Sequence, residues 1–222
     1  MVTITVLMEG GAAPGSPADV QTVNNTQALR ESLHRLFREN LSMEVSVVVD
    51  MLHGYKNVVK HFLRQSTGSS VFLYVDLDGA PHTKDSWFEK LEADGLKLSE
   101  EQKQRCFFMI QEMEAWILYQ PGILDEWGRL NGYTRQKPGM PIADDNKLAG
   151  KVVTDIPHPS DVISVLLGRY FEKVVAGKKR KAKYGKLKTA PALLDLLDAG
   201  LLRHQDEELG MFADGCLAMC DD

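Results

Sequence analysis

Cysteine is scarce, with 3 in 222 residues. Cys106, Cys216 and Cys220 show no CxxC spacing, which argues against a disulfide framework and against a zinc site and leaves them as free thiols. No apolar run approaches the roughly 20 residues of a membrane helix. The N-terminus has no basic-then-apolar leader, so a cytoplasmic protein without membrane contact is expected. No GxxxxGK[ST] loop occurs, so an ATP-driven role would need a partner subunit. No internal repeat or long low-complexity tract is visible. His53, His61, His82, His158 and His204 share no spacing and read as surface or packing residues rather than ligands.

What remains is an ordinary globular composition. A hydrophobic fraction of 44% and a charged fraction of 26% rule out a disordered or fibrous class, and the length suits one large domain or a core with a smaller lobe. The net charge of -5 is unevenly spread. Lys178, Lys179, Arg180, Lys181, Lys183, Lys186 and Lys188 crowd one stretch, so an anionic partner such as nucleic acid fits despite the acidic total.

The run Val71 to Gly79, Val-Phe-Leu-Tyr-Val-Asp-Leu-Asp-Gly, organises the rest. Its successive apolar residues predict a strand buried on both faces, as in a parallel sheet. It stops at Asp76 and Asp78, which an extended chain points to the same side. Two like charges that close are costly unless a cation or proton relieves them. The plain alternative is an Asp-Leu-Asp-Gly turn with solvated carboxylates. Val2 to Met8 predicts a first strand, ended by Glu9-Gly10-Gly11. Gly10 to Asn25 reads as a long loop, and a helix follows from about Thr26 with Leu29, Leu33, Leu36 and Phe37 on one face.

Glu44 to Val49 is expected as a strand and Tyr55 to Arg64 as a helix. Helical text over Lys84 to Gln104 breaks at Asp94-Gly95 and restarts behind Ser99, with Gln102 three residues on as a capping box. Arg105 to Gln111 is a fourth apolar run, leading into a helix at Glu112-Met113-Glu114-Ala115-Trp116. Acids in a first turn suit the helix dipole, which explains Glu112 and Glu114 without any site. Strand followed by helix, repeated, predicts an α/β fold with a mostly parallel, doubly wound sheet. After Pro121 the text changes. Gly128 to Gly150 reads as a connector, Asp161 to Val175 as a helix capped by Ser160, the basic stretch as a loop, and Thr189 to Leu197 as a helix that Gly200 ends. The expected division is an α/β core over 1–120 and a helical C-terminal extension over 121–222, carrying the basic loop and packed on the core.

Glu9, the pair Asp76 and Asp78, and Glu114 or Glu112 therefore each follow a predicted strand. If those strands are neighbours, the acids share one rim. Oxygen-only ligation is what Mg²⁺ or Mn²⁺ prefers, and phosphoryl transfer is the chemistry such an ion serves. Lys183, Lys186 and Lys188 are candidate phosphate contacts, the last two lying just ahead of a helix N-terminus.

The order strand, Glu-Gly, helix, then strand, Asp-x-Asp-Gly resembles a Toprim domain, the metal-binding module of type II topoisomerases, bacterial primases and the overcoming-lysogenization-defect nucleases. Met8-Glu9-Gly10-Gly11, the Asp76 strand, the Met109-to-Trp116 run and Tyr184-Gly185-Lys186 resemble more closely a Toprim-like bacterial family of unknown function, domain-of-unknown-function family 4276. The resemblance spans most of the chain. It implies that Glu9 is the Toprim glutamate, that Asp76 and Asp78 hold Mg²⁺, and that the family's Glu-Ala-Trp falls on Glu114, Ala115 and Trp116, favouring Glu114 over Glu112. It further implies a Mg²⁺-dependent nuclease paired with an ATPase subunit in bacterial defence against phage, or a catalytically silent subunit of such a complex. The loop after Glu9 is long for the family, and the length leaves no room for a topoisomerase tyrosine domain or a primase partner domain. Val75-Asp76-Leu77-Asp78-Gly79 also resembles the first motif of haloacid-dehalogenase-type phosphatases, with Asp76 as nucleophile and Asp144 and Asp145 imitating the last. There Ala80 departs from the usual Thr, and Pro138 and Pro141 disfavour a central strand before Asp144.

Overall fold

The computed structural model describes residues 2–10, 20–65 and 70–219. Its centre is a four-stranded, all-parallel sheet in the order β2-β1-β3-β4, formed by β1 (Val2–Glu9), β2 (Val45–Leu52), β3 (Val71–Asp76) and β4 (Cys106–Met109). Helices flank it on both faces, as the alternation of strand and helix predicts. Successive strand residues point to opposite sides. Ile4, Val6, Met8, Phe72, Tyr74 and Phe107 enter one core, whereas Leu7, Leu73, Val75 and Phe108 enter the other.

The second core is closed by α2 (Tyr55–Gln65) and α3 (Lys84–Ala93), through Val58, Val59, Phe62 and Leu91. After α3 the chain turns at Gly95 (φ 77°) and restarts as α4 (Glu100–Lys103). The expected capping box is present there. The Gln102 N–H donates to Ser99 Oγ at 3.2 Å and the Ser99 N–H to Gln102 Oε1 at 2.9 Å.

The first core is larger. It is covered by α1 (Val20–Glu39), whose Leu29, Leu33, Leu36 and Phe37 face the sheet, and by α5 (Ala115–Tyr119). Helix α1 starts before Thr26, at Val20, so the end of the expected loop is helical, while the rest of that loop, residues 11–19, lies outside the described residues together with Cys220.

Residues beyond 120 are not simply helical. They run through α6 (Ile123–Leu130), β5 (Thr134–Arg135), α7 (Pro159–Tyr170), β6 (Phe171–Val175), β7 (Lys178–Lys181), α8 (Lys186–Leu194), α9 (Ala199–Gln205) and α10 (Glu207–Ala218). Strands β5, β6 and β7 form an antiparallel sheet. Three expectations are corrected here. The helix expected to Val175 ends at Tyr170, because Phe171 to Val175 pair with Lys178 to Lys181 and only an extended chain satisfies that ladder. The basic stretch is therefore in part a strand, reversed by Ala176 (φ 50°) and Gly177 (φ 73°) in the left-handed turn a two-residue hairpin needs. Helix α8 begins at Lys186 rather than Thr189 and ends by Leu194, and Gly200 lies inside α9. Gly128 sits where a Cβ would come within 2.4 Å of Phe171, which lets α6 press onto β6.

Helices α8, α9 and α10 send Leu193, Leu202, Leu209 and Phe212 into the same core as Phe37 and Tyr74. One apolar body thus crosses residue 120. Among the described residues no helix is long and apolar enough to cross a membrane.

Candidate functional site

In the order β2-β1-β3-β4 the chain leaves β1 to one side and returns on the other, so the switch point lies between β1 and β3. A crevice opens outside the carboxyl ends of such strands, because the connections depart in opposite directions. Glu9 is the last residue of β1 and Asp76 the last of β3. They line a cavity of about 360 Å³ together with Asp78, His53, Gly54 and Lys186. A larger concavity of about 490 Å³ lies between α3 and α4, where Lys97 pairs with Glu92 and Lys103 with Glu100.

Local backbone explains the acids. Gly10 takes φ +152° and donates its N–H to the Leu52 carbonyl at 2.9 Å; a Cβ there would meet Met51 Cε at 2.2 Å. The Glu-Gly pair is thus how β1 turns sharply at its acid. Asp76 Oδ1 accepts the Met113 N–H at 2.9 Å, which orients the carboxylate. Asp78 does not continue the strand as the i, i+2 argument assumed. It is exposed at φ 53°, a conformation Asp tolerates better than most residues, with its N–H donated to the Gln111 carbonyl at 2.9 Å.

The acids nonetheless feel one another. Although Glu9 and Asp78 both reach the surface, partial desolvation in the crevice, then Asp76 and Asp78, raise the Glu9 carboxyl, and partial desolvation, then Asp76, raise that of Asp78. Lys186 relieves part of this repulsion. Its Nζ lies 3.1 Å from Asp76 Oδ2 and 3.9 Å from Glu114 Oε2, and although burial pulls its pKa down, Asp76 and Glu114 hold the ammonium well above its ordinary value.

Glu114 is fully buried at the N-cap of α5. Its Oε1 accepts the Tyr184 hydroxyl at 2.6 Å, while Oε2 is buried without a hydrogen bond. Burial raises its pKa, and Lys186 and Tyr184 oppose that. Glu112 is spent differently: its Oε2 accepts the Ser160 N–H at 3.0 Å at the start of α7, and His158 is 3.8 Å away. Of the two candidates Glu114 is therefore the one that shares Lys186 with Asp76. A second cavity, about 340 Å³, lies beyond Lys186 and is lined by Glu112, Glu114, Asp161, Ser164 and Tyr184.

The donors are all oxygen, as Mg²⁺ or Mn²⁺ requires, and the crowding of Glu9, Asp76 and Asp78 is of the kind a cation relieves. As they stand, no three Asp, Glu, His or Cys side chains among the described residues form a group that could hold one ion. Glu114 is screened from the other acids by the Lys186 ammonium. The donor chemistry is thus that of a divalent-ion site, but Glu9, Asp76 and Asp78 are not drawn together around one point, and Oε2 of Glu114 is left buried without a hydrogen bond beside Lys186.

Lys183 and Lys188 are exposed and have no ion-pair partner among the described residues, in contrast to Lys186. Asp145, which the phosphatase alternative would use, is buried against Arg169 and Tyr170, at 2.5 and 2.7 Å, and neither it nor Asp144 lines the acid cavity. Sequence reasoning missed Tyr184 as the anchor of Glu114 and His53 as part of the cavity wall. Tyr184 stands in the Tyr184-Gly185-Lys186 stretch that carries the resemblance, but its bond to Glu114 joins residues 70 apart, and nothing local marks His53.

The molecule is a doubly wound, parallel α/β protein with an acid-lined crevice at its switch point and one lysine bridging two of the acids. No protein-family model matches the sequence, and no curated protein or solved structure matches it either.

Proposed function

We propose that this protein is a metal-dependent nuclease of Toprim type, hydrolysing phosphodiester bonds of DNA or RNA. The observation that carries the reading is the meeting of Glu9, Asp76, Asp78 and Lys186 in one crevice at the β1/β3 switch point. Mg²⁺ or Mn²⁺ held by Glu9, Asp76 and Asp78 would supply charge neutralisation at the phosphate and a water of lowered pKa. The chain's own groups do the rest. Lys186, now paired with Asp76, would offer its ammonium to a phosphate oxygen. Glu9, whose carboxyl is raised by burial and by Asp76 and Asp78 when no ion is bound, gains most in this reading from a cation that neutralises those charges. The Met113 N–H keeps Asp76 aimed at the cavity, and Tyr184 keeps Glu114 from turning away. Lys183 and Lys188, exposed and without an ion-pair partner among the described residues, are the cations we assign to the nucleic-acid backbone. An ATPase partner in an anti-phage system belongs to the same reading, motivated by the resemblance and by the lack of any phosphate-binding loop in the chain.

The test is cleavage of labelled DNA and RNA by purified protein with Mn²⁺, alone and with a candidate ATPase. Asp76→Asn should abolish cutting while the apo protein keeps its fold, because the amide still accepts the Met113 N–H and repulsion on Glu9 and Asp78 falls. A catalytically silent binding subunit is the second reading, favoured by Lys186 lodged between Asp76 and Glu114. Nucleic-acid binding without metal-dependent cutting, equal in wild type and Asp76→Asn, would establish it instead.

A further inference from the structure

Strands β6 and β7 continue outward past the point where they leave the core. Phe171 and Ala182 are buried and close the base, where the Ala182 N–H donates to the Phe171 carbonyl at 2.9 Å. Every residue from Val174 to Lys181 is exposed. The ladder pairs Lys173 with Arg180, Val174 with Lys179 and Val175 with Lys178, so the tip is a two-stranded ribbon wet on both faces. Lys179 pairs with Glu172 at 3.2 Å, whereas Lys178, Arg180 and Lys181 have no carboxylate partner among the described residues. Val174, 67% exposed, and Val175, 42% exposed, stand at the end where a solvated loop would carry polar residues. A tight hairpin turn holds the ribbon together, so it is a built arm rather than a loose basic loop.

Dimensions select the partner. Three strand residues beyond Glu172 project about 10 Å at 3.4 Å each, and the major groove of B-form DNA is about 8.5 Å deep and wide enough for a two-stranded ribbon. The deep, narrow major groove of duplex RNA does not admit one. From Lys181 to Lys186 is five residues, at most about 18 Å of chain, and Lys186 touches Asp76. The arm adds about 10 Å to that reach and a DNA turn spans about 34 Å, so a duplex gripped by the arm would lie within one turn of the acid crevice.

We propose that the β6–β7 hairpin is an arm that enters the major groove of duplex DNA and presents a backbone phosphate of that duplex to the Glu9, Asp76 and Asp78 crevice. The inference rests on the nucleic-acid reading above and deepens it by naming the duplex and the element that grips it. Complementarity carries it: this is the most basic segment of an acidic chain, and three of its four cations, Lys178, Arg180 and Lys181, have no carboxylate partner among the described residues.

Fluorescence anisotropy in EDTA, where no cutting intervenes, separates the possibilities. The probes are a labelled 20-base-pair DNA duplex, the same sequence as duplex RNA, and each single strand. The variant is Lys178→Gln, Arg180→Gln and Lys181→Gln together, all surface positions, with near-ultraviolet circular dichroism checking the fold. Wild type should prefer duplex DNA and protect guanine N7, which faces the major groove, from methylation. The triple variant should bind the duplex at least tenfold more weakly at 0.1 M salt and lose the protection. Its salt slope should be shallower by about 3 on logarithmic axes, at about 0.9 for each phosphate no longer neutralised. An unchanged slope and protection in the triple variant would overturn the arm while leaving the nuclease reading standing. Single strands or duplex RNA bound as tightly as duplex DNA would overturn it as well. Wild type that binds no nucleic acid removes both readings, and if phosphatidylserine vesicles then bind wild type but not the triple variant, the arm is a membrane contact.

Discussion

Lys186 places one positive charge among acids that otherwise repel one another, and its half-exposed side chain reaches both Asp76 and Glu114. In the absence of an ion it is a tethered counter-charge. A divalent cation held at Glu9, Asp76 and Asp78, as proposed, would compete with it for the Asp76 carboxylate. Two unit charges about 4 Å apart near a surface interact by up to about 4 kcal/mol, and screening at a half-exposed side chain reduces that severalfold. Lys186→Met should therefore tighten Mn²⁺ binding by about tenfold, read from the free-Mn²⁺ paramagnetic resonance signal, while cleavage falls because the phosphate loses its cation. Weaker Mn²⁺ binding in the variant would mean that Lys186 organises the acids rather than competing for them. Of these residues Glu9, Asp76 and Asp78 were legible in the sequence, each standing where an apolar run stops. Lys186 was legible as a cation for that rim, but its pairing with Asp76 and Glu114 was not, since it depends on α8 returning across 110 residues to the end of β3.

At the level of elements, the four parallel strands could be read because each is a short run dominated by apolar, β-branched or aromatic residues. Strand β7 could not. Lys178 to Lys181 carries no apolar alternation at all, and Phe171 to Val175 continues a helical pattern until a partner strand claims it. Helix α10 shows what else the sequence conceals. Strand β4 is a sheet edge, and α10 covers it: Glu208 Oε2 accepts the Phe108 N–H at 2.9 Å and its other oxygen pairs with Lys84, so the outward donor is satisfied. Asp206 caps the same helix, accepting the Leu209 N–H at 2.8 Å and the Trp116 indole N–H at 3.1 Å. Burial raises its pKa to about 6, above the roughly 3.9 of an unfolded Asp. The folded state then holds the proton more tightly, so the stability linked to Asp206 is fully present below about pH 4, falls between about pH 4 and 6, and is constant above that. The loss amounts to roughly 3 kcal/mol. Urea melts across that range should show it as a difference between wild type and Asp206→Asn, which has no charge to bury. A constant difference between pH 4 and 7 would show that Asp206 titrates normally. The variant should also be less stable by about 1 to 3 kcal/mol below pH 4, because one amide oxygen cannot serve both donors and the indole N–H is left facing an NH₂ group.

Over the whole molecule the sequence suggested a core over 1–120 with an attached extension, and the packing joins the two. Phe212 of α10 lies edge-on to Phe37, Phe72, Tyr74 and Phe107, with ring centroids 5.2 to 5.6 Å apart. Asp206 adds its bond to Trp116. Arg35 of α1 donates to the Leu194 carbonyl at 2.6 Å, and Ser32 to the Pro191 carbonyl at 3.2 Å, so α8 is tied down as well. Removing residues 121–222 would uncover those rings. Re-exposing large apolar side chains costs about 1.5 to 3 kcal/mol each. Four or five of them match the 5 to 15 kcal/mol by which a whole domain is usually stable. The fragment 1–120 should therefore fail to fold on its own, binding a hydrophobic dye and lacking a sigmoidal urea transition. The full chain should instead unfold in one transition, with tryptophan fluorescence, which reports Trp87 against one face of the sheet and Trp116 and Trp127 in the other core, coinciding with far-ultraviolet circular dichroism. A fragment 1–120 that melts cooperatively, or two separated transitions in the full chain, would restore the division at residue 120. The acid crevice would then have to be built without Lys186 and Tyr184, and Glu114 would have neither of its present partners.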